Sequence, residues 1–386
     1  MNPARFLTCG ALLVAAVSCG NNGPNEITPF QLAQGKQTFR FDTFGNETFW
    51  TDTLRIHEVI QSGVSPATAL SVGLKVDADA LPAGLLETAD LNSPATTVAL
   101  LKLNAVVGLQ GTVETVSGRD TLTRVGITCA LCHSSVNNSV APGIGQRQDG
   151  WPNLDLNPGA IIALSPALTD AQRSVYNSWG PGRYDARYNF DGQNDPAIIP
   201  PAYGLAGVNS ITYTGDGDRV AYWNRYVAVT QMHGHGTFAE PRLGIAVSNP
   251  PDQVEAKLPN LEAYQLSLSP PPAPPGTFDA VAAARGQTIF AGAAQCATCH
   301  AGPAFTDANT RLHPPEETPT DPTHAQRSAT KMYRTTPLRA LWQHAPYFHD
   351  GSAATLTDVV ERYDSANNLQ LTPEQKADLV EYLKTL

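Results

Sequence analysis

Cys129-Ala-Leu-Cys132-His133 and Cys296-Ala-Thr-Cys299-His300 are two copies of one pattern, and it decides how the rest of the chain is read. Two thiols three positions apart on one helical turn can each add to a haem vinyl group, and the next residue presents an imidazole to the iron. A bare pair of this spacing also suits half of a zinc site or a redox dithiol. The histidines decide between them: with 9 among 386 residues, accident would place one after both pairs roughly once in two thousand. The pattern implies two covalent haem c groups, held by Cys129, Cys132, Cys296 and Cys299, with His133 and His300 as proximal iron ligands.

The other two cysteines, Cys9 and Cys19, lie in an N-terminal stretch with one basic residue, Arg5, and an apolar run from Phe6 to Val17. That run is too short to cross a bilayer and reads as a signal peptide over residues 1–19. Ala16-Val17-Ser18-Cys19-Gly20 resembles a bacterial lipoprotein cleavage site, the alternative being an ordinary signal peptide cut nearby. The expectation is export to the periplasm or cell envelope, with a lipid on Cys19 as membrane anchor. Asn21 to Asn25 would be a flexible tether. No cysteine is left for a disulfide.

Removing 19 residues from 386 leaves a length that suggests two domains. Apolar content of 42% against 16% charged residues describes a folded protein, and a formal charge of −10 argues against nucleic acid and for a basic redox partner. Ser269-Pro270-Pro271-Pro272-Ala273-Pro274-Pro275-Gly276 can be neither helix nor central strand, so residues 269–276 read as an extended linker between domains 20–268 and 277–386. After the linker, Ala280 to Phe290 has the makings of a packed helix, with Gly286 four residues before Phe290. This resembles the first helix of class I cytochromes c, where a glycine admits the last helix. Thr372-Pro373-Glu374-Gln375 is a capping box that opens such a last helix, with Leu379, Val380 and Leu383 at helical spacing.

An internal repeat extends the pattern. Ala33-Gln34-Gly35-Lys36-Gln37-Thr38-Phe39 matches Ala284-Arg285-Gly286-Gln287-Thr288-Ile289-Phe290 in alanine, glycine and phenylalanine, and Tyr213-Thr214-Gly215-Asp216-Gly217 echoes Tyr347-Phe348-His349-Asp350-Gly351. The expected fold is mainly α: two cytochrome c-like helical haem domains with long irregular loops, the first carrying an insertion between its leading helix and its haem cysteines.

Gly302-Pro303-Ala304-Phe305-Thr306-Asp307, Thr336-Pro337-Leu338-Arg339 and Ala345-Pro346-Tyr347-Phe348-His349-Asp350-Gly351-Ser352 resemble the C-terminal domain of bacterial di-haem cytochrome c peroxidases and the related MauG-like enzymes. The likeness covers roughly residues 280–386 and is looser in the N-terminal half. There, Trp179-Gly180-Pro181-Gly182-Arg183 is similar to the family stretch that places an indole between the haems; the alternative is a structural tryptophan in a turn. The resemblance implies a sixth ligand for the second haem at Tyr363, as in the MauG-like branch, with Met332 competing. For the first haem it points to Gln231-Met232-His233-Gly234-His235-Gly236. Met232 or a histidine there could bind the iron, or His235 could act as acid and base in an open pocket. Glu240 is the nearby carboxylate in place of the family's distal glutamate. His57, His313, His324 and His344 read as non-ligands. Calcium, which bridges the domains in the resembled enzymes, is a further candidate cofactor without assigned ligands.

The resemblance implies a peroxidase-like oxidoreductase. Electrons from a small carrier, a mono-haem cytochrome c or a cupredoxin, would enter at the second haem, cross to the first and reduce hydrogen peroxide there. The alternatives are a non-catalytic electron-transfer cytochrome, with both irons six-coordinate, and MauG-like oxidation of a partner protein.

Overall fold

The computed structural model describes residues 27–386. The leader, with Cys9 and Cys19, lies outside the described residues. Helices predominate, joined by long loops and by five two-stranded sheets among the described residues.

Helix α1 (Pro29–Phe41) starts on a reciprocal cap between Thr28 and Gln31, with Pro29 in its first turn. Helices α2 (Ile56–Gly63) and α3 (Pro94–Lys102) follow, then a hairpin of β1 (Leu109–Val116) and β2 (Arg119–Ile127). Ser117 and Gly118 at its tip both have positive φ, as the tightest two-residue hairpin turn demands. These elements form the insertion. Ile56, Ile60, Val98, Leu101, Leu122 and Val125 close around one another, and Leu131 of the first haem motif packs into the same cluster. The insertion is therefore the wall behind that motif, with more strand than an all-helical domain would hold.

Helix α4 (Val220–Tyr226), the hairpin β3 (Gly236–Glu240) and β4 (Ile245–Asn249), and helix α5 (Leu258–Ser267) complete the N-terminal half. Helix α5 lies against α1. A Cβ on Gly35 would collide with the Asn260 carbonyl and sit 2.6 Å from Tyr264 Cβ, so only glycine permits this approach. Phe39 meets Tyr264 edge-on, with ring centres 5.7 Å apart.

Residues 268–274 form no helix or strand. Beyond them, helix α6 (Ala280–Ala291) packs on α8 (Pro373–Leu383), and α7 (Leu356–Asn367) packs on α8. A Cβ on Gly286 would collide with the Asp378 carbonyl, and Phe290 meets Tyr382 edge-on at 5.3 Å. The crossing of α1 with α5 is thus repeated by α6 with α8, down to the glycine, the phenylalanine and the tyrosine. The second sequence echo is also structural: Ile211 bridges Gly217, and Tyr347 bridges Ala353.

The halves meet through buried charge. Arg327 holds Asp185 at 3.0 Å and Asp191 at 2.8 Å, and Asp216 accepts from Arg187 and from the Ala329 and Thr330 amides. No helix among the described residues is long and apolar enough to cross a membrane.

Candidate haem sites

His133 ends one turn of helix, and its Nδ1 lies 3.1 Å from the Pro200 carbonyl. His300 follows a single 3-10 turn, and its Nδ1 lies 3.0 Å from the Phe305 carbonyl. A carbonyl accepts only, so each ring carries its proton on Nδ1 and keeps the Nε2 lone pair for a metal. Burial lowers both pKa values, that of His133 to about 4, which keeps the rings neutral. Burial likewise pushes the thiols up, to about 12 at Cys129 and Cys132 and about 11 at Cys296, so they stay protonated until they react.

Cys296, Cys299 and His300 open onto a cavity of about 520 Å³, inside the range of roughly 300–1,000 Å³ usual for cofactor sites. Helices α6, α7 and α8 supply its apolar wall through Phe290, Val360, Leu379 and Leu383. Tyr363 lines the same cavity, and burial, reinforced by the Cys296 and Cys299 sulfurs, raises its pKa to about 12. Met332 is not among the lining residues. It sits beyond the Thr330 turn, where its amide bonds the Thr330 hydroxyl, so of the two expected sixth ligands only Tyr363 shares the cavity with His300.

Residues 283–386 match the family model for cytochrome c. This stretch is a cytochrome c domain. Such a domain holds haem c covalently and has a redox role, and Cys296, Cys299 and His300 fit that group: two thiols and a neutral imidazole on one side of an apolar cavity. Two solved structures are also similar. One is hydrazine synthase of Kuenenia stuttgartiensis pressurised with xenon: 21% identity, TM-score 0.34, covering 50% of this chain and 73% of that one. The other is a MauG-like protein associated with microbial copper homeostasis: 20% identity, TM-score 0.35, covering 50% of this chain and 74% of that one. No curated protein matches the chain.

Around the first motif the structure gathers residues from distant segments. Met232, 3% exposed, shares an apolar cluster with Ala130, against which Cys129 also packs. Its carbonyl accepts from Trp50 Nε1 at 3.1 Å. His233 stacks on Phe49 with ring centres 3.6 Å apart, and burial lowers its pKa to about 4. The Nδ1 of His235 is buried and makes no hydrogen bond. Glu240, the carboxylate expected near the first haem, is held by Arg242 on both its oxygens, Tyr222 donates to it at 2.9 Å, and these bonds hold its pKa near 2. It carries no proton at neutral pH.

Trp179 is 2% exposed, donates to Asn194 at 2.8 Å and meets Tyr184 edge-on at 5.3 Å. The Tyr184 hydroxyl, raised mainly by burial and also by the Cys132 sulfur, donates to Gln231 at 2.9 Å. On its other side Trp179 lines a small cavity with Ile198 and Pro346, and those two residues also line the large one. Tyr184 was missed in the sequence, and Gln231 stood there only as the neighbour of Met232, because nothing local pairs them: 47 positions separate two residues that one hydrogen bond joins. His313 bonds Asp307 and Glu317, and His324 and His349 stack together at the junction of the halves.

Proposed function

We propose that the chain is an exported di-haem cytochrome that accepts electrons from a small redox carrier at its C-terminal haem, passes them to a second haem at Cys129 and Cys132, and reduces hydrogen peroxide there. The observation that carries this reading is the repeated construction, in which each histidine after a thiol pair has its Nδ1 on a backbone carbonyl, at 3.1 and 3.0 Å. Haem supplies a one-electron couple and, where one face is open, peroxide chemistry.

The chain's own residues divide the work. Tyr363 lines the C-terminal cavity together with His300 and, as a ligand to a haem held there, would favour the oxidised state. Trp179 and Tyr184 would offer aromatic rings to electrons passing between the sites, since Tyr184 lies near the Cys132 sulfur and Trp179 shares Ile198 and Pro346 with the C-terminal cavity. His235 is the group placed to hold and move a proton in the N-terminal half, since its buried Nδ1 has no partner and Glu240 is consumed by Arg242. Asp185, Asp191 and Asp195 surround Arg327, so a calcium ion at this junction would compete with a guanidinium. The leader adds a place for the protein, the cell envelope, with lipid on Cys19. Acylation predicts a membrane-bound protein that becomes soluble on Cys19→Ser.

A second reading, a pure electron carrier, is favoured by Met232, which packs with Ala130 and Cys129 and would saturate the N-terminal iron. MauG-like oxidation of a partner protein is favoured by Tyr363 alone. Ferric electron paramagnetic resonance separates the first two. One high-spin signal, with peroxide turnover that drops roughly 100-fold or more in His235→Ala, supports peroxide reduction. Two low-spin signals and no turnover leave a carrier.

A further inference from the structure

The C-terminal cavity carries two arginines on its wall, Arg334 and Arg339. Among the described residues neither has a carboxylate within ion-pairing reach, although nearly every other arginine around the junction does. Arg334 is tied to the N-terminal half: its amide donates to the Tyr213 carbonyl at 2.9 Å and its Nη1 to the Ser210 carbonyl at 2.6 Å. Its Nε is buried and makes no hydrogen bond. Arg339 donates to the Gly204 carbonyl. The wall carboxylate, Glu317, is already engaged by Arg311 and by His313 Nδ1.

A buried guanidinium with an idle N–H is an expensive arrangement unless something brings it an anion. The rest of the wall brings none, being apolar side chains, tyrosines, imidazoles, thiols, and the uncharged polar side chains of Gln295, Asn367 and several threonines. An occupant of this cavity must therefore carry negative charge on the edge that faces residues 334–339, and apolar surface elsewhere. Haem c has that form, a flat apolar ring with two carboxylates on one edge.

We propose that Arg334, with Arg339 beside it, receives the propionates of the C-terminal haem and so ties that haem to the N-terminal half through Ser210 and Tyr213. The inference deepens the reading of Cys296, Cys299 and His300 as a haem site and rests on it. Arg334 is a positioning residue here: its planar fork meets a carboxylate with two parallel bonds and fixes the edge of the ring. The positive charge also favours the ferrous state, because reduction adds an electron next to a cation.

The test uses the holoprotein with haem counted by pyridine haemochrome. In Arg334→Leu the reduction potential of the C-terminal haem shifts downward, while that of the N-terminal haem stays in place. In Arg334→Lys the charge remains but the fork is lost. The potential then stays near the wild-type value, and the carboxylate band of 13C-labelled propionates in the redox infrared difference spectrum is displaced. If the C-terminal haem is present and both its potential and its propionate band are unmoved, the assignment is overturned. Should Arg334→Leu lose its haem, the infrared band of the lysine variant decides alone. A wild-type protein without haem at Cys296 and Cys299 would instead defeat the attachment itself, and this inference with it.

Discussion

The two halves use one scaffold and close it differently. In each, a helix with a Gly-x-x-x-Phe stretch crosses a final helix that presents a tyrosine, and the haem motif lies nearby. In the C-terminal half the His300 imidazole is oriented by Phe305, five residues further on. In the N-terminal half the same bond reaches Pro200, 67 residues away. The C-terminal site is thus a local construction, made by a stretch that matches a cytochrome c family model. The surroundings of the N-terminal motif are built instead from the insertion and the Met232 segment, brought from distant parts of the chain. A difference in contact range of this kind separates what a short motif can specify by itself from what tertiary closure must supply.

The largest effect that sharpens the comparison is at the helix crossings. Gly286→Leu drives a side chain into the Asp378 carbonyl and should cost about 3 kcal/mol or more. Urea unfolding, followed through each haem's own absorption, should show the C-terminal haem losing its native ligand-field spectrum first, while staying attached. Gly35→Leu should do the reverse. Losses below about 1 kcal/mol in both would mean that the crossings are not the shared scaffold.

Next in size is Tyr363. Tyr363→Met should raise the potential of the C-terminal haem, because a neutral thioether favours the ferrous state more than a phenolate does. Tyr363→Phe should leave that iron open or water-bound. The N-terminal haem should keep its ligand-field spectrum in both. A C-terminal potential and spectrum that ignore both changes would make Tyr363 a packing residue.

The smallest effect concerns the junction between the halves. Burial is the main reason that His324 sits far below the usual imidazole pKa. Its folded pKa is depressed, so the unfolded chain binds the extra proton as pH falls through about 6.5, and stability present above that pH is lost on acidification, by roughly 1.4 kcal/mol per unit at most. His324→Gln should flatten the stability difference between pH 7 and pH 5 by up to about 2 kcal/mol. An unchanged difference would place the acid sensitivity elsewhere.

Much of the C-terminal half was legible from residues alone. The thiol pair, Gly286 with Phe290, and the Thr372 capping box each mark their own place, and the structure uses all three. The counterpart in the first half was harder to see. Leu261 and Tyr264 repeat Leu379 and Tyr382, but α5 begins after Lys257, whose side chain does not cap it, so no local signal announces it. The hairpin over 109–127 carried a readable sign in Ser117-Gly118, overlooked because the expected domain was helical. Arg327, Arg334 and the Tyr184–Gln231 pair were beyond reach, since each depends on partners brought from far along the chain.

The central claim is that two haem c groups are attached, one in each half, and a pyridine haemochrome assay on purified protein tests it most directly. The account predicts two haems per chain in the wild type. Cys132→Ala and Cys299→Ala should each lose about one equivalent or leave it poorly attached, because each thioether anchors one vinyl group. A wild-type count of one, with Cys132→Ala unchanged from it, or zinc bound at either pair, would contradict the account.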